Sequence, residues 1–490
     1  MSGYSSFAGI VNTGKISQEG EFNFQVGIGG LLGVGNLGVI KTEGTSVLIG
    51  LSKGAGIINA GSINLAEGAS GTIGAGALRG ILNFGTFKTG DNADVVAGIS
   101  GGAGIVNGLV PELAGTYGIT SGSLAPAVIS TGAGDDLVTG CGLYDLARFL
   151  ASQSPVPVGI DDLGSITVLS SILTAELINE LNLEAGIDLS PLLRADTYSP
   201  YVKGAPWNLV PASVVIPAPT APLDSTKDAT YGVINFGSID VGTGDDVIFG
   251  AADDINGDVA KSSQPLIAKY IPSGILNGQT GTIRLGEGND TLRVETWSIS
   301  APVDPLSPST GIVNYGTIDA GDGNDIVSGY SGTSNATNIA ILNEGIIRAG
   351  AGDDTVDALT GGFSGSGLID LGEGNDTLIG FGTGRFDGGG SFNTNQRDTL
   401  LLGNGTYVCS LSSDLGGFLS LSQDSPVTHK SSTMLLQGFE RIGAASDPGT
   451  AIDFVAGQTY SVIRGLILAE GSDLVEGIPI IVNPPFVIVI

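Results

Sequence analysis

At 490 residues, with 81 Gly and 41% hydrophobic side chains, the chain exceeds an ordinary single domain and is too apolar for a disordered one. No Gly-X-Y period is present, so the glycine excess over the usual share of about 7% indicates many tight turns rather than collagen. Forty-nine acids against 19 bases leave a formal charge of -30, which argues against nucleic acid and anionic membrane surfaces as partners and favours cations.

The opening MSGYSSFAGIVNTG has no basic segment followed by an apolar one, so no N-terminal signal is predicted. From there a short pattern recurs: GIVNTGKI at 9, GIINAGSI at 56, GILNFGTF at 80, GVINFGSI at 232, GILNGQTGTI at 274, GIVNYGTI at 311 and AILNEGII at 340. Each reads as a short apolar strand, an Asn, a Gly turn and a second short strand. Such repetition predicts stacked coils, which bring equivalent positions to one line about 4.8 Å apart. Asn12, Asn59, Asn83, Asn235, Asn277, Asn314 and Asn343 are then expected either to form a hydrogen-bonded amide ladder or to take a left-handed turn conformation before Gly.

Acidic glycine loops follow many of these repeats. TGDNADVV at 89 has Asn92 where a second Gly would stand and reads as a degenerate copy. The full copies are GAGDDLV at 132, GTGDDVI at 242, GEGNDTL at 286, GDGNDIV at 321, GAGDDTV at 350 and GEGNDTL at 372. From Asp246 to Asp376 the intervals between their last Asp residues shrink through 44, 35, 29 and 22. The shortest approximates one bare coil; the longer ones contain insertions such as Ala251 to Pro272 and Glu295 to Ser309.

Between the first full loop and the main array the pattern stops. LYDLARFLAS at 143 and SITVLSSILTAELINELNLEAG at 165 have helical apolar spacing, with Leu169, Ile172, Leu173, Leu177 and Leu181 on one face and Gly186 suited to a C-terminal cap. A Pro-rich stretch from Pro206 to Pro222 then leads back to the repeats. The expected fold is all-β, a parallel β-helix or β-roll solenoid with a small helical insertion whose apolar face either docks on it or binds a partner. Its parts are N-terminal coils mostly without acidic loops (1–140), a helical and Pro-rich insertion (141–231), the loop-bearing β-helix (232–397) and C-terminal coils with an export signal (398–490). Cys141 and Cys409 are too few for a disulfide scaffold, lack zinc-site spacing, and are expected to be buried and inert.

The loops fit x-G-x-G-[ND]-D-x-U-x, with U a large apolar residue, and this resembles the G-G-x-G-x-D-x-U-x nonapeptide of RTX (hemolysin-type) secreted proteins. The resemblance implies calcium. Asp136, Asp246, Asp290, Asp325, Asp354 and Asp376 match the family's ligating Asp. Gly132, Gly134, Gly242, Gly244, Gly286, Gly288, Gly321, Gly323, Gly350, Gly352, Gly372 and Gly374 would turn backbone carbonyls inward. Calcium takes six to eight oxygens, so in this family the ion sits between loops of neighbouring coils. The apolar residue two positions after each Asp, such as Val327, then returns the chain to the core. This chain departs from the motif in its first Gly, which is Thr131, Val241, Leu285, Ala320, Ala349 and Leu371 here, and in carrying each nonapeptide singly.

LLQGFERIGAASDPGTAIDF at 435 resembles the degenerate coils of such arrays, and the final FVIVI weakly resembles the apolar ending of proteins exported by the type I pathway. No stretch approaches a transmembrane span. The resemblance implies a secreted or cell-surface calcium-binding protein, structural (surface layer or fibre) or adhesive, with calcium, cell-surface polysaccharide or further copies of itself as partners. No catalytic residue is expected. The one histidine, His429, lies in a polar SPVTHKSS loop, and GIVNTGKI mimics a phosphate loop through Gly9, Gly14 and Lys15 but has Ile16 where Ser or Thr is needed. The alternative is a carbohydrate-active enzyme of lyase or epimerase type, with a base near Arg293 or Lys261.

Overall fold

The computed structural model describes residues 2–5, 7–52, 54–65, 68–76, 79–100, 102–108, 126–141, 231–254, 273–298, 310–331, 339–389, 396–411, 418–424 and 431–471. All regular structure among them is β, and most strands pair in parallel with the equivalent strand one coil away. This is a parallel β-helix. The helical and Pro-rich expectation for 141–231 lies almost wholly outside the described residues, as do His429, Lys261 and the chain after Gly471.

Most coils have three strands. The first stack holds ten, from Ala8–Asn12 through Tyr231–Asn235 to Phe363–Ser364. All but the last end on the repeated Asn and pair in register, Asn12 with Asn36, Asn36 with Asn59, and onward to Asn314 with Asn343. A Gly turn leads to the second stack, for example Thr317–Asp322, and the acidic loop leads to the third, for example Ile326–Ser331. In the first two coils the second and third faces are single long strands, Lys15–Gly29 and Val39–Ser52, which irregular pairing between Glu19 and Phe22 bends where later coils carry a loop.

Strand alternation sends Ile57, Ile63, Ile105, Val233, Ile275, Ile318 and Leu292 into one continuous interior, each no more than 1% exposed. The residue two positions after each loop Asp joins them: Val138, Ile248, Leu292, Val327, Val356 and Leu378 are all buried. The first stack is apolar on its other face too, where Leu82, Val106, Ile234, Leu276 and Val313 form a second buried cluster, as parallel sheets covered on both sides do. Where third-stack and first-stack strands pass closest, only Gly fits. A Cβ on Gly98 would meet the Gly104 carbonyl oxygen at 2.1 Å, and the same pairing recurs at Gly50 with Gly56 and Gly250 with Gly274.

The buried asparagines form the ladder. Asn235 Nδ2 donates to Asn277 Oδ1 at 2.9 Å and to the Thr282 carbonyl at 3.0 Å, while its Oδ1 accepts from Asn107 Nδ2 at 2.9 Å and from its own Gly237 N–H at 3.2 Å. All four hydrogen-bonding positions of the amide are filled, which is why it can be fully buried. The left-handed alternative is excluded: among the described residues Arg464 is the sole non-Gly residue with positive φ. Asn36 and Asn107 also belong to the ladder, and with them the early Asn-to-Asn spacing is 24, 23, 24 and 24 residues.

The C-terminal part differs from an expectation of further coils. Ser431–Gln437 and Arg441–Ala444 do stack in parallel on the preceding coil. Gly405–Leu411, Leu419–Asp424, Asp447–Asp453, Gln458–Ile463 and Leu466–Gly471 instead pair antiparallel around buried Tyr407, Leu421 and Tyr460. Connections of a few residues allow hairpins there and leave no length for a three-sided coil. Cys141 and Cys409 are both buried.

Candidate metal centre

The acidic loops stand at one corner of the solenoid, between second and third stacks. In all six, both glycines have φ between 98° and 152°, a region costly for any residue with a Cβ. The loops pack against one another through backbone hydrogen bonds, such as Gly288 N–H to the Asp322 carbonyl at 2.8 Å and Gly323 N–H to the Ala351 carbonyl at 2.7 Å. Neighbouring loops are thereby held in register one strand spacing apart.

Two side-chain ladders run along this corner in opposite directions. In the inner one, the carboxylate of each loop Asp reaches back to the preceding coil. Asp246 Oδ1 accepts the Asp136 N–H at 2.7 Å, and Asp290, Asp325, Asp354 and Asp376 each accept the N–H of the Asp before them at 2.8 Å. In the outer one, the residue before each Asp receives an N–H from the following coil: Asp135 Oδ1 from Asp245, Asp245 Oδ1 from Asn289, Asn324 Oδ1 from Asp353 and Asp353 Oδ1 from Asn375. The outer ladder is part-buried or exposed; the inner one is buried.

The structure thus brings the six predicted Asp residues into one line, each at most 1% exposed. In every one of them the second carboxylate oxygen, Oδ2, is buried and has no hydrogen-bond partner. Such an orphan costs about 1–3 kcal/mol when neutral and more when charged. Burial therefore pushes the carboxyls up from 3.8, to about 8 at Asp136, about 9 at Asp246, about 7 at Asp290 and Asp354, about 6 at Asp325 and about 8 at Asp376. Hydrogen bonds at Oδ1 oppose this shift, while neighbouring acids of the array add to it.

Two members of the ladder were not assigned from sequence as full sites. Asp94, from the degenerate loop, donates its N–H to Asp136 Oδ1, but its own carboxylate is satisfied on both sides, Oδ1 by the Ser70 N–H and Oδ2 by the Gly90 N–H. Asp398 accepts the Asp376 N–H at 2.9 Å and donates its own to Glu440 Oε2 at 2.8 Å, so Glu440 ends the line in the place of a further Asp. The D-T-L after Arg397 was the available signal for Asp398, since two of the full loops share it.

The donors are hard oxygens, which suits a cation such as calcium rather than a thiolate-seeking metal. No group of three His, Cys, Asp or Glu side chains able to hold a metal comes together among the described residues. Side chains alone do not complete a calcium shell, so backbone oxygens of the glycine turns would have to supply the remainder. The orphan Oδ2 atoms fit a cation site as unpaired acceptors, each in a loop shaped by two glycines of positive φ. Of the residues named for an alternative catalytic role, Arg293 is paired with Glu295 on its own strand. No helix among the described residues is long and apolar enough to cross a membrane. The fold and this corner define a parallel β-helix with a stacked carboxylate array; comparisons with family models, curated proteins and solved structures return no match for the chain.

Proposed function

We propose that the chain is a calcium-binding repeat protein of RTX type that acts outside the cell as a structural or adhesive component, its array completing its fold when calcium arrives. The observation that carries this reading is the row of six buried Asp residues, each with an orphan Oδ2, beside glycines of positive φ. A cation converts these from a liability into a binding site. Extracellular modules bind calcium with dissociation constants of about 10⁻⁴ to 10⁻³ M, so such an array stays empty in the cytosol and fills outside.

The structural role, a fibre or layer, has one support beyond composition. The exposed large apolar side chains among the described residues belong to the first two coils, as do Phe7, Phe22 and Leu37, and to the antiparallel C-terminal part, as do Ile463, Leu466 and Leu468. Apolar side chains exposed in these two parts favour association through them. Negative-stain imaging of the protein in millimolar calcium and in chelator tests both parts. Ordered fibres or sheets in calcium alone are expected; identical particles in both conditions would remove calcium from the assembly.

A further inference from the structure

We infer that each acidic loop is a charge-matched seat for one divalent cation, and that its second negative charge is interchangeable between two positions of the loop. The inference rests on the calcium reading above and adds to it a rule for the residues around the buried Asp.

In three loops the acid stands between the two glycines and the residue before the buried Asp is Asn: Glu287 with Asn289, Asp322 with Asn324, Glu373 with Asn375. In the other three the position between the glycines is neutral and the later one is Asp: Ala133 with Asp135, Thr243 with Asp245, Ala351 with Asp353. No full loop has both acids or neither. Every loop therefore carries two negative charges, the buried Asp and one other, which equals the charge of one dication.

Two simpler causes fail. The outer ladder needs an acceptor oxygen, and Asn Oδ1 serves it as Asp Oδ1 does, at Asn324 as at Asp353, so hydrogen bonding does not decide between them. Nor are like charges kept apart along the stack, since Glu287 is registered opposite Asp322, and the Asp245 N–H bonds the Asp135 carboxylate. What stays constant is the sum within a loop. The Asp94 loop shows that two acids are not sufficient: Asp91 accompanies Asp94, yet both Asp94 oxygens already hold backbone N–H groups. The six seats combine the paired charge with an orphan Oδ2.

Glu287 and Asn289 are both exposed, so editing them leaves the core untouched. The full chain is titrated with calcium chloride by calorimetry and circular dichroism as wild type, E287Q, N289D, the double variant E287Q/N289D, and E19Q as a charge-loss control in a coil without a loop. E287Q is expected to weaken calcium at its loop about tenfold, the effect of one water-screened charge on a nearby dication. The double variant is expected to return to wild type, and E19Q to match wild type throughout. Wild type that takes up no calcium would overturn the calcium reading itself. Wild type that binds calcium while E287Q binds it equally well, or a double variant no better than E287Q, would overturn the charge rule alone.

Discussion

Asp354 accepts the backbone N–H of Asp325 on Oδ1 at 2.8 Å and leaves Oδ2 buried with no partner. One carboxylate therefore does two jobs: it ties two coils together and presents an unpaired oxygen at their junction. The two jobs respond differently to substitution.

Asp354→Asn keeps an acceptor for Asp325 and removes a buried charge. At pH 9 in chelator, above its folded value of about 7, it is expected to raise the melting temperature. In calcium it is expected to lower stability by about 2.7 kcal/mol, the contribution of one site at a hundred times its dissociation constant. Asp354→Ala also orphans the Asp325 N–H and should lose about 1 kcal/mol more. Thermal melts followed by circular dichroism check both; a change of the same sign in chelator and in calcium would count against the site.

Asp94 offers the contrast. Because backbone N–H groups hold both its oxygens, Asp94→Ala is expected to cost about 1–3 kcal/mol in either condition and to leave the calcium midpoint unchanged. Denaturant unfolding at several calcium concentrations separates this structural loss from a loss of binding.

The pH dependence should reverse with calcium. The folded values at Asp136, Asp246 and Asp376 are raised from 3.8 to about 8, 9 and 8, so the folded chain holds these protons more tightly than the unfolded one. In chelator, stability is therefore full below about pH 4 and is lost as pH rises through about 8 to 9. In saturating calcium the ion replaces the protons, and stability should rise over the same window. Melting temperatures from pH 5 to pH 9 in both conditions check the crossing.

The Asn ladder should matter independently of calcium. Asn277 Nδ2 donates to Asn314 Oδ1 at 2.8 Å, and its Oδ1 accepts from Asn235 Nδ2 at 2.9 Å. Asn277→Leu leaves both neighbours with an unmatched buried group, at about 1–3 kcal/mol each. Urea unfolding in saturating calcium should show that loss without a shift in calcium affinity.

Export by the C-terminal region needs a boundary the repeats alone do not supply. A truncation after Thr450 removes Tyr460 and Val462, which are buried in the antiparallel end, and is expected to lower the melting temperature as well as any secretion. A truncation after Gly471 spares every described strand. Retention of that shorter truncation inside cells, with unchanged melting, is the expected outcome; its normal secretion would place the signal elsewhere.

By itself the sequence determined what repeats: the strand, Asn and Gly pattern, the six Asp positions, and a bare coil close to the 22 residues between Asp354 and Asp376. Those are legible because a stacked coil imposes the same local requirement on each pass, a turn here and an apolar residue there. Asn36 and Asn107 are less legible because Gly35 before the one, and Gly108 with Leu109 after the other, break the local spelling while the coil position is unchanged. Tertiary structure alone decided that Asp136, 110 residues from Asp246, bonds it directly, that Asp94 is satisfied where Asp136 is not, and that five strands after Leu402, from Gly405–Leu411 to Leu466–Gly471, pair antiparallel. These depend on which atoms of distant coils meet and which are cut off from water, and a local motif carries no record of either.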